Sequence, residues 1–112
     1  MKNTFYQIVK QASIDSGVNM GEYYKSKGKH PENFTNHLKW GRFDLAEMKD
    51  IIEFYGGDVD VIVSSKKLGK IKCSTVTDIY ASKLNDACKM MGLTLSIKFK
   101  LKSGKVLALK IK

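Results

Sequence analysis

The spacing of apolar residues changes at Gly56-Gly57, and this change limits the chain to a mixed fold. Before the two glycines, apolar residues recur every three to four positions, as in helices with one buried face. After them, Val59, Val61 and Val63 alternate with other residues, as in a half-buried strand. The sequence therefore predicts an α+β fold, with helices over residues 1–57 and then strands, one further helix and a C-terminal β-hairpin over residues 58–112.

The first part of the chain carries signals for four helices. Thr4 and Asp44 are residue types that cap helix N-termini, and Glu47 follows Asp44 at the spacing of a capping box. Proline is tolerated at a helix start, where its missing N–H would have no partner. The predicted helices run from Thr4 to Ser16, from Met20 to Lys27, from Pro31 to Trp40 and from Asp44 to Tyr55, each followed by glycine. The expected buried residues of the first and last are Phe5, Ile8, Val9, Ala12, Leu45, Met48, Ile51, Ile52 and Tyr55.

The second part alternates between strand and helix signals. The pattern predicts a second strand from Lys70 to Thr75, with Ile71 and Cys73 facing inward, and a helix from Thr77 to Met91 that ends at Gly92. The expected inward face of this helix is Tyr80, Leu84, Ala87, Cys88 and Met91. The sequence also resembles itself at a distance of 36 positions, where Gly56 aligns with Gly92. In both aligned segments a predicted helix is followed by a glycine and then by a predicted strand. The similarity is either a partial duplication or a chance similarity.

The C-terminal alternation of apolar residues with lysines predicts the hairpin. If Ser103-Gly104-Lys105 is the loop, apolar side chains of the two strands face each other. A two-residue loop would place apolar residues opposite lysines, so the longer loop is preferred. The predicted facing pairs are Leu101 with Leu107, Phe99 with Leu109, and Ile97 with Ile111.

The charge of the chain favours an anionic partner. Lysine and arginine number 20 against 11 aspartates and glutamates, which gives a formal net charge of +9. Such a field attracts nucleic acid first and acidic proteins or membrane surfaces second. Arg42 is the only arginine, and lysine acts as a point charge rather than as a planar fork, so this composition supports phosphate attraction better than guanine recognition. The alternative is a lysine bias that reflects genome composition.

Other classes of protein receive little support. The chain has no apolar run long enough to span a membrane and no signal-peptide pattern, so we expect a cytoplasmic protein without a membrane partner. Cys73 and Cys88 are expected to be reduced thiols, and with His30 and His37 they lack the spacing of a zinc site. No phosphate-binding loop or catalytic motif is present, which predicts neither an enzyme nor a cofactor.

Residues 20–55 combine a short helix, a glycine-containing turn, and a polar helix over Asn33-Phe34-Thr35-Asn36-His37-Leu38-Lys39-Trp40 that ends at Gly41. This arrangement resembles the lambda-repressor-like helix-turn-helix family of small phage and bacterial regulators. Phe34 and Leu38 form the apolar pair that anchors this helix, and the resemblance extends from Thr4 to about Val63. It implies a helix-turn-helix domain over residues 1–57 and a β-containing dimerisation or accessory part over residues 58–112.

The same resemblance implies double-stranded DNA as the partner and regulation of transcription by site occupancy, as a homodimer. Residues on or near the groove-facing side of the polar helix would be His30, Glu32, Asn33, Asn36 and His37. Among these, asparagine suits adenine and glutamate suits cytosine. Phosphate contacts would come from Lys25, Lys27, Lys29, Lys39 and Arg42.

Two other interpretations remain open. The scaffold resembles that of some phage anti-CRISPR proteins, which implies a protein-binding inhibitor with a host protein partner. A stripe of C-terminal lysines could form a second polyanion surface or simply the wet face of a half-covered sheet. The stripe consists of Lys98, Lys100, Lys102, Lys110 and Lys112.

Overall fold

The computed structural model describes residues 2–67, 69–73 and 78–111, and these form an α+β fold of five helices and one five-stranded mixed sheet. The α+β class is confirmed, although strands lie among the helices, because β1 precedes the first helix. The elements are β1 (Lys2–Asn3), α1 (Phe5–Ser16), α2 (Glu22–Ser26), α3 (Glu32–Trp40), α4 (Leu45–Phe54), β2 (Asp58–Ser65), β3 (Gly69–Cys73), α5 (Ala81–Met90), β4 (Thr94–Lys100) and β5 (Val106–Leu109).

The sheet joins the two ends of the chain. Its strand order is β1-β5-β4-β2-β3, and every neighbouring pair is antiparallel except β1 with β5. One face packs against the helices, so a single core includes Ile8 and Phe34 from the first part of the chain and Phe99 from the last. The predicted division at residue 57 stays a prediction, although core side chains come from both sides of it.

The helical part follows the sequence signals closely. Both capping boxes are present: the Gln7 amide donates to Thr4 Oγ1 at 3.2 Å, and the Glu47 amide donates to Asp44 Oδ1 at 2.7 Å. All nine residues predicted to be buried in the first and last helices are buried. The second and third helices begin at Glu22 and Glu32, slightly later than predicted.

Several predictions in the second part are wrong, and the first two concern β3 and the start of α5. Ile71 lies on β3, at the edge of the sheet, and its side chain is 52% exposed rather than inward. The helix predicted from Thr77 begins only at Ala81, because Tyr80 is extended and serves as its N-cap. The inward side chains of Ala81, Leu84 and Cys88 contact the core.

Two other residues of the predicted inward face are exposed, whereas Tyr80 is half-buried. Ala87 lies at the surface, and Met91, which follows the last helical residue, is 66% exposed. Gly92, with φ of 72°, then turns the chain into β4. Thr77 and the predicted inward side chain of Cys73 lie outside the described residues.

The hairpin has a three-residue loop, but its register differs from the predicted one by two residues. Phe99 pairs with Leu107 and Lys98 with Ala108, because the loop is Lys102-Ser103-Gly104. The Gly104 amide donates to the Leu101 carbonyl at 2.9 Å, and Gly104 has a φ of 92°. A turn followed by a left-handed glycine is a favoured three-residue loop, and it requires glycine at the third position. A shift of two keeps every apolar side chain on its predicted face.

The internal similarity at 36 positions corresponds to a structural repeat. Helices α4 and α5 begin at Leu45 and Ala81, and strands β2 and β4 begin at Asp58 and Thr94. The two strands pair antiparallel, and Val61 lies opposite its equivalent Ile97. The caps Asp44 and Tyr80, also equivalent, form an isolated β-bridge. The two helix–strand units are therefore related by an approximate two-fold axis through these two pairs.

None of the helices in the described residues combines the length and apolar character needed to cross a lipid bilayer.

Candidate nucleic-acid interface

The connection between α2 and α3 reverses the chain by a specific backbone motif. The Lys29 amide donates to the Tyr24 carbonyl at 2.9 Å, and the Gly28 amide donates to the Lys25 carbonyl at 3.1 Å. This pair of bonds defines a Schellman motif, which needs a left-handed residue after the helix. Gly28 supplies it with a φ of 73°, so the glycine predicted to end the helix does so.

Aromatic packing fixes α3 against α2. The ring of Phe34, on the inner side of α3, lies 4.7 Å from that of Tyr24 and 5.5 Å from that of Tyr23, measured between centroids. Leu38, one turn later, is also buried. Both predicted anchors of α3 are therefore confirmed as buried residues, and tilted ring pairs at these distances add to the apolar burial.

A polar cluster fixes α2 against α4. The Tyr23 hydroxyl donates to Asp50 Oδ2 at 2.5 Å, and Lys27 Nζ lies 3.4 Å from the same oxygen. The Tyr23 hydrogen bond, helped by Lys27, lowers the pKa of the Asp50 carboxyl below its usual value. Burial, followed by the hydrogen bond to Asp50, raises the pKa of Tyr23. The Tyr23 hydroxyl therefore stays protonated and the Asp50 carboxyl stays ionised at neutral pH, so the hydrogen bond between them persists there.

The segment that leads into α2 is held by Tyr55 at the end of α4. The Tyr55 ring is 1% exposed, and its hydroxyl donates to the carbonyls of Met20 at 2.5 Å and Asn19 at 3.2 Å. Burial raises the pKa of Tyr55 to about 12. Helix α4 therefore holds both the entry and the body of α2, and α2 in turn supports α3.

The outer side of α3 presents a row of side chains at helical spacing. Asn33, Asn36, His37 and Trp40 occupy i, i+3, i+4 and i+7, and all four are exposed. The His37 ring is not free, because its Nδ1 shares a hydrogen bond with the Tyr24 hydroxyl. The two asparagines are thus the exposed amides of this row, one helical turn apart.

The end of α2, the α2–α3 turn and the start of α3 carry five more of the predicted residues, and all five are exposed. The ammonium groups of Lys27 and Lys29 lie 5.4 Å and 5.1 Å from the ring centroids of Tyr23 and Tyr24. His30 Nδ1 lies 3.7 Å from Glu32 Oε1, so the carboxylate has a neighbour of its own. Lys25 is exposed on α2.

The remaining two predicted residues lie at the opposite end of α3. Lys39 Nζ is 5.0 Å from the Tyr6 ring centroid, and the Arg42 guanidinium is 4.4 Å from the Tyr80 centroid. Arg42 also donates to Ser82 Oγ at 3.4 Å. The ten predicted site residues are therefore all exposed and lie on α2, on α3 and in the segments that flank α3, with cations at both ends of this region.

One prominent member of this region was not predicted. Trp40 is 83% exposed, although tryptophan usually buries most of its surface. From the sequence it was assigned only as the last residue of a helix. Its place seven residues after Asn33 was the available signal, because i and i+7 lie on the same side of a helix.

The predicted C-terminal lysine stripe is only partly assembled. Lys98 and Lys100 on β4 lie on the sheet face away from the helices. On the neighbouring strand β2, Asp60 lies opposite Lys98 and Asp58 lies opposite Lys100. Asp60 also forms an ion pair with Lys72 at 3.1 Å. The loop holds Lys102, and Lys112 lies outside the described residues. Neighbouring carboxylates thus offset part of the positive charge on this face.

In comparisons with known proteins, no family model matches the chain, and no curated protein or solved structure shows a match. The geometry of the described residues is therefore the basis for a functional proposal. Among those residues, no three His, Cys, Asp or Glu side chains are grouped so that they could hold a metal ion.

Proposed function

We propose that this protein is a helix-turn-helix regulator that binds double-stranded DNA, with α3 in the major groove, and that acts by occupying its site. The observation that carries the proposal is the outer side of α3. It presents Asn33 and Asn36 to solvent from a helix whose inner side is anchored by Phe34 and Leu38.

The geometry of α3 suits a groove. Its nine residues extend about 13 Å, and a single helix fits the width of the major groove. Asparagine can donate to and accept from an adenine edge at the same time. Because aromatic and apolar contacts hold the helix on its inner side, its outer side chains are presented from a rigid support, as base recognition requires.

The cations have the arrangement expected for phosphate contacts. Lys25 lies on α2, Lys27 and Lys29 lie in the turn that leads into α3, and Lys39 and Arg42 lie at the end of α3. The two DNA strands that border a groove could therefore each be contacted. Lysine contacts of this kind give affinity that falls with added salt. Glu32 and His37 would contribute less, since each already contacts another side chain.

A homodimer remains part of the proposal, but the exposed sheet edge is a poor surface for it. The edge strand β3 carries Lys70 and Lys72. Lysines on an edge strand oppose pairing with a second copy, because like charges would approach each other. We therefore propose that two copies meet through another surface, or on DNA itself.

The direct test is selection of binding sites from random duplexes with the full chain, followed by affinity measurements at fixed salt. Changing Asn33 and Asn36 to alanine should weaken binding to the selected site by roughly 10- to 100-fold for each adenine that is no longer recognised. Binding to unrelated duplexes should stay the same. Asn85→Ala, the same change on α5, is the matched control and should alter neither affinity.

A lysine variant separates phosphate contacts from base contacts. Lys25→Ala should weaken binding to all duplexes about equally and should lower the salt slope by about one. Selection that recovers no preferred sequence, or a double asparagine variant that keeps its preference, would count against base recognition by α3.

A protein-binding inhibitor of the anti-CRISPR type is the second candidate, and an exposed methionine pair at the end of α5 favours it. Met90 is 89% exposed and Met91 is 66% exposed. Flexible methionine side chains are frequent at protein-binding surfaces. A partner protein captured from host extract by the wild-type chain, but not by a variant with serine at both positions, would support this candidate over DNA binding.

A further inference from the structure

A cavity of about 600 Å³ opens beside the end of α3, where the first turn of α1, the start of α5 and the end of β5 meet. The buried ring of Phe5 and the half-buried ring of Phe43, 5.5 Å apart between centroids, are part of its apolar lining. The volume is in the range of sites that hold small organic ligands. The row of asparagines on α3 is not part of its lining.

The cavity combines aromatic rings with cations. Lys39 and Arg42 both line it, and each is placed over an aromatic ring that also lines it. Arg42 has a further support, since it donates to Ser82 Oγ from above the Tyr80 ring. The third cation is Lys110, which follows β5. Contacts with neighbouring rings favour fixed positions for Lys39 and Arg42.

The charge of the lining has one sign. None of the described residues that line the cavity is an aspartate or glutamate, whereas three are lysine or arginine. Trp40 belongs to the same lining and is 83% exposed, so its ring can receive a planar partner. An apolar lining, an available indole ring and uncompensated positive charge together suit a flat aromatic ligand that carries a negative group.

We propose that this cavity binds one unpaired nucleotide, with the base stacked on Trp40 and the phosphate held by Lys39 and Arg42. Base–aromatic stacking combined with cations along the backbone is how proteins hold single-stranded nucleic acid. A base within a duplex is already stacked on its neighbours, so it would have to leave the helix to enter. The ligand is therefore a nucleotide of a single strand or a free mononucleotide. The proposal does not rest on duplex binding by α3.

Trp40 is the only tryptophan in the chain, so its fluorescence reports on the cavity directly. The intact protein is titrated in turn with a single-stranded oligothymidylate, adenosine monophosphate, a duplex of the same length and inorganic polyphosphate. The expected result is quenching by one or both of the first two. If adenosine monophosphate saturates the quenching at the same concentration as the oligothymidylate, the ligand is a free nucleotide. If the oligothymidylate binds more tightly, the ligand is a single strand.

Variants test the two halves of the proposal separately. Trp40→Ala should weaken single-strand or nucleotide binding by about 5- to 150-fold, measured by calorimetry, and Trp40→Phe should retain most of it. Arg42→Ala should weaken binding, while Lys89→Ala on α5 is the charge-matched control and should not. Circular dichroism establishes that each variant is folded.

Three results would overturn the proposal. The first is that neither nucleotide ligand quenches the fluorescence of Trp40. The second is that inorganic polyphosphate quenches it as strongly as the nucleotide ligands do. The third is that the affinity for the single strand is unchanged after Trp40→Ala. The asparagine double variant distinguishes the cavity from the asparagine row of α3, since Asn33→Ala with Asn36→Ala should leave nucleotide binding intact. Loss of duplex recognition with retained nucleotide binding would keep the cavity as a site separate from that row, whereas loss of nucleotide binding in the same variant would reject the cavity as a separate site.

Discussion

Removing a single hydroxyl group tests how α4 supports the α2–α3 unit. In Tyr55→Phe the ring keeps its place beside Phe54, whose centroid is 5.1 Å away. The carbonyls of Asn19 and Met20 lose the donor that now lies 3.2 Å and 2.5 Å from them. Because the site is buried, the expected loss is about 1–3 kcal/mol in the free energy of unfolding at neutral pH.

The same variant predicts a pH dependence of known sign. Burial raises the folded-state pKa of Tyr55 to about 12, whereas an unfolded tyrosine ionises near pH 10. The stabilisation is complete below pH 10 and is lost as the pH rises toward about 12, because the unfolded chain releases the proton first. At about pH 11 the wild-type advantage over the variant should be smaller by roughly 1.4 kcal/mol.

Urea denaturation followed by circular dichroism measures both effects. The raised pKa values of Tyr23 and Tyr24 are common to the two proteins and cancel in the difference. Tyr6→Phe makes the same chemical change on a half-buried ring of α1 and should alter stability by less than about 0.5 kcal/mol. A difference that is absent at neutral pH, or that stays constant from neutral to about pH 11, would refute the role given to the Tyr55 hydroxyl.

Three further predictions concern the same support. Asp50→Asn should lower the free energy of unfolding by about 1 kcal/mol at neutral pH. Because the Tyr23 hydrogen bond lowers the pKa of Asp50, this difference should vanish only as the pH falls below the ordinary aspartate range, as measured by urea denaturation at several pH values. In thermal melts, Gly28→Ala should lower stability by about 1 kcal/mol, because its φ is 73° but a Cβ would meet nothing within 4 Å. Gly41→Ala should lower stability more, because its Cβ would lie 2.6 Å from the His37 carbonyl oxygen. A fragment of residues 1–57 should show a weak circular dichroism signal and no cooperative melt, because it lacks Phe99, on which Phe5 packs at 5.7 Å between ring centroids. A cooperative melt would instead support the division at residue 57.

The helical part of the fold follows from the sequence because its signals are local. Thr4 and Asp44 cap helices through residues three positions away, and Gly28 ends one through its own backbone freedom. The resemblance to the helix-turn-helix family, through an apolar pair four residues apart, implied that Phe34 and Leu38 anchor α3. Each of these features depends on a few residues that are close together in the sequence.

The errors arise where distant parts of the chain decide the outcome. Whether Ile71 is covered depends on which strand lies at the edge of the sheet, and no local pattern states that. The hairpin register depended on whether Gly104 ended the loop or stood in its middle, and alternation is satisfied by both. Pairing of β1 with β5 brings together residues from the two ends of the chain, so it was not predicted.

The candidate site shows the same division. The ten site residues were implied by the resemblance to the helix-turn-helix family, and all ten are exposed. The cavity beside Trp40 could not be predicted, because it forms only where α1, α3, α5 and β5 meet. The positions of Lys39 over Tyr6 and Arg42 over Tyr80 likewise join residues far apart in the chain.

Backbone amide chemical shifts, recorded with and without a duplex obtained by site selection, test the central claim most directly. Binding by α3 predicts that the largest changes fall on residues 25–40, with few changes over α5 and the open face of the sheet. The same spectra of the Asn33→Ala, Asn36→Ala double variant should show much smaller changes at equal duplex concentration. Changes confined to the sheet or to α5, or none with any duplex, would contradict DNA recognition by α3.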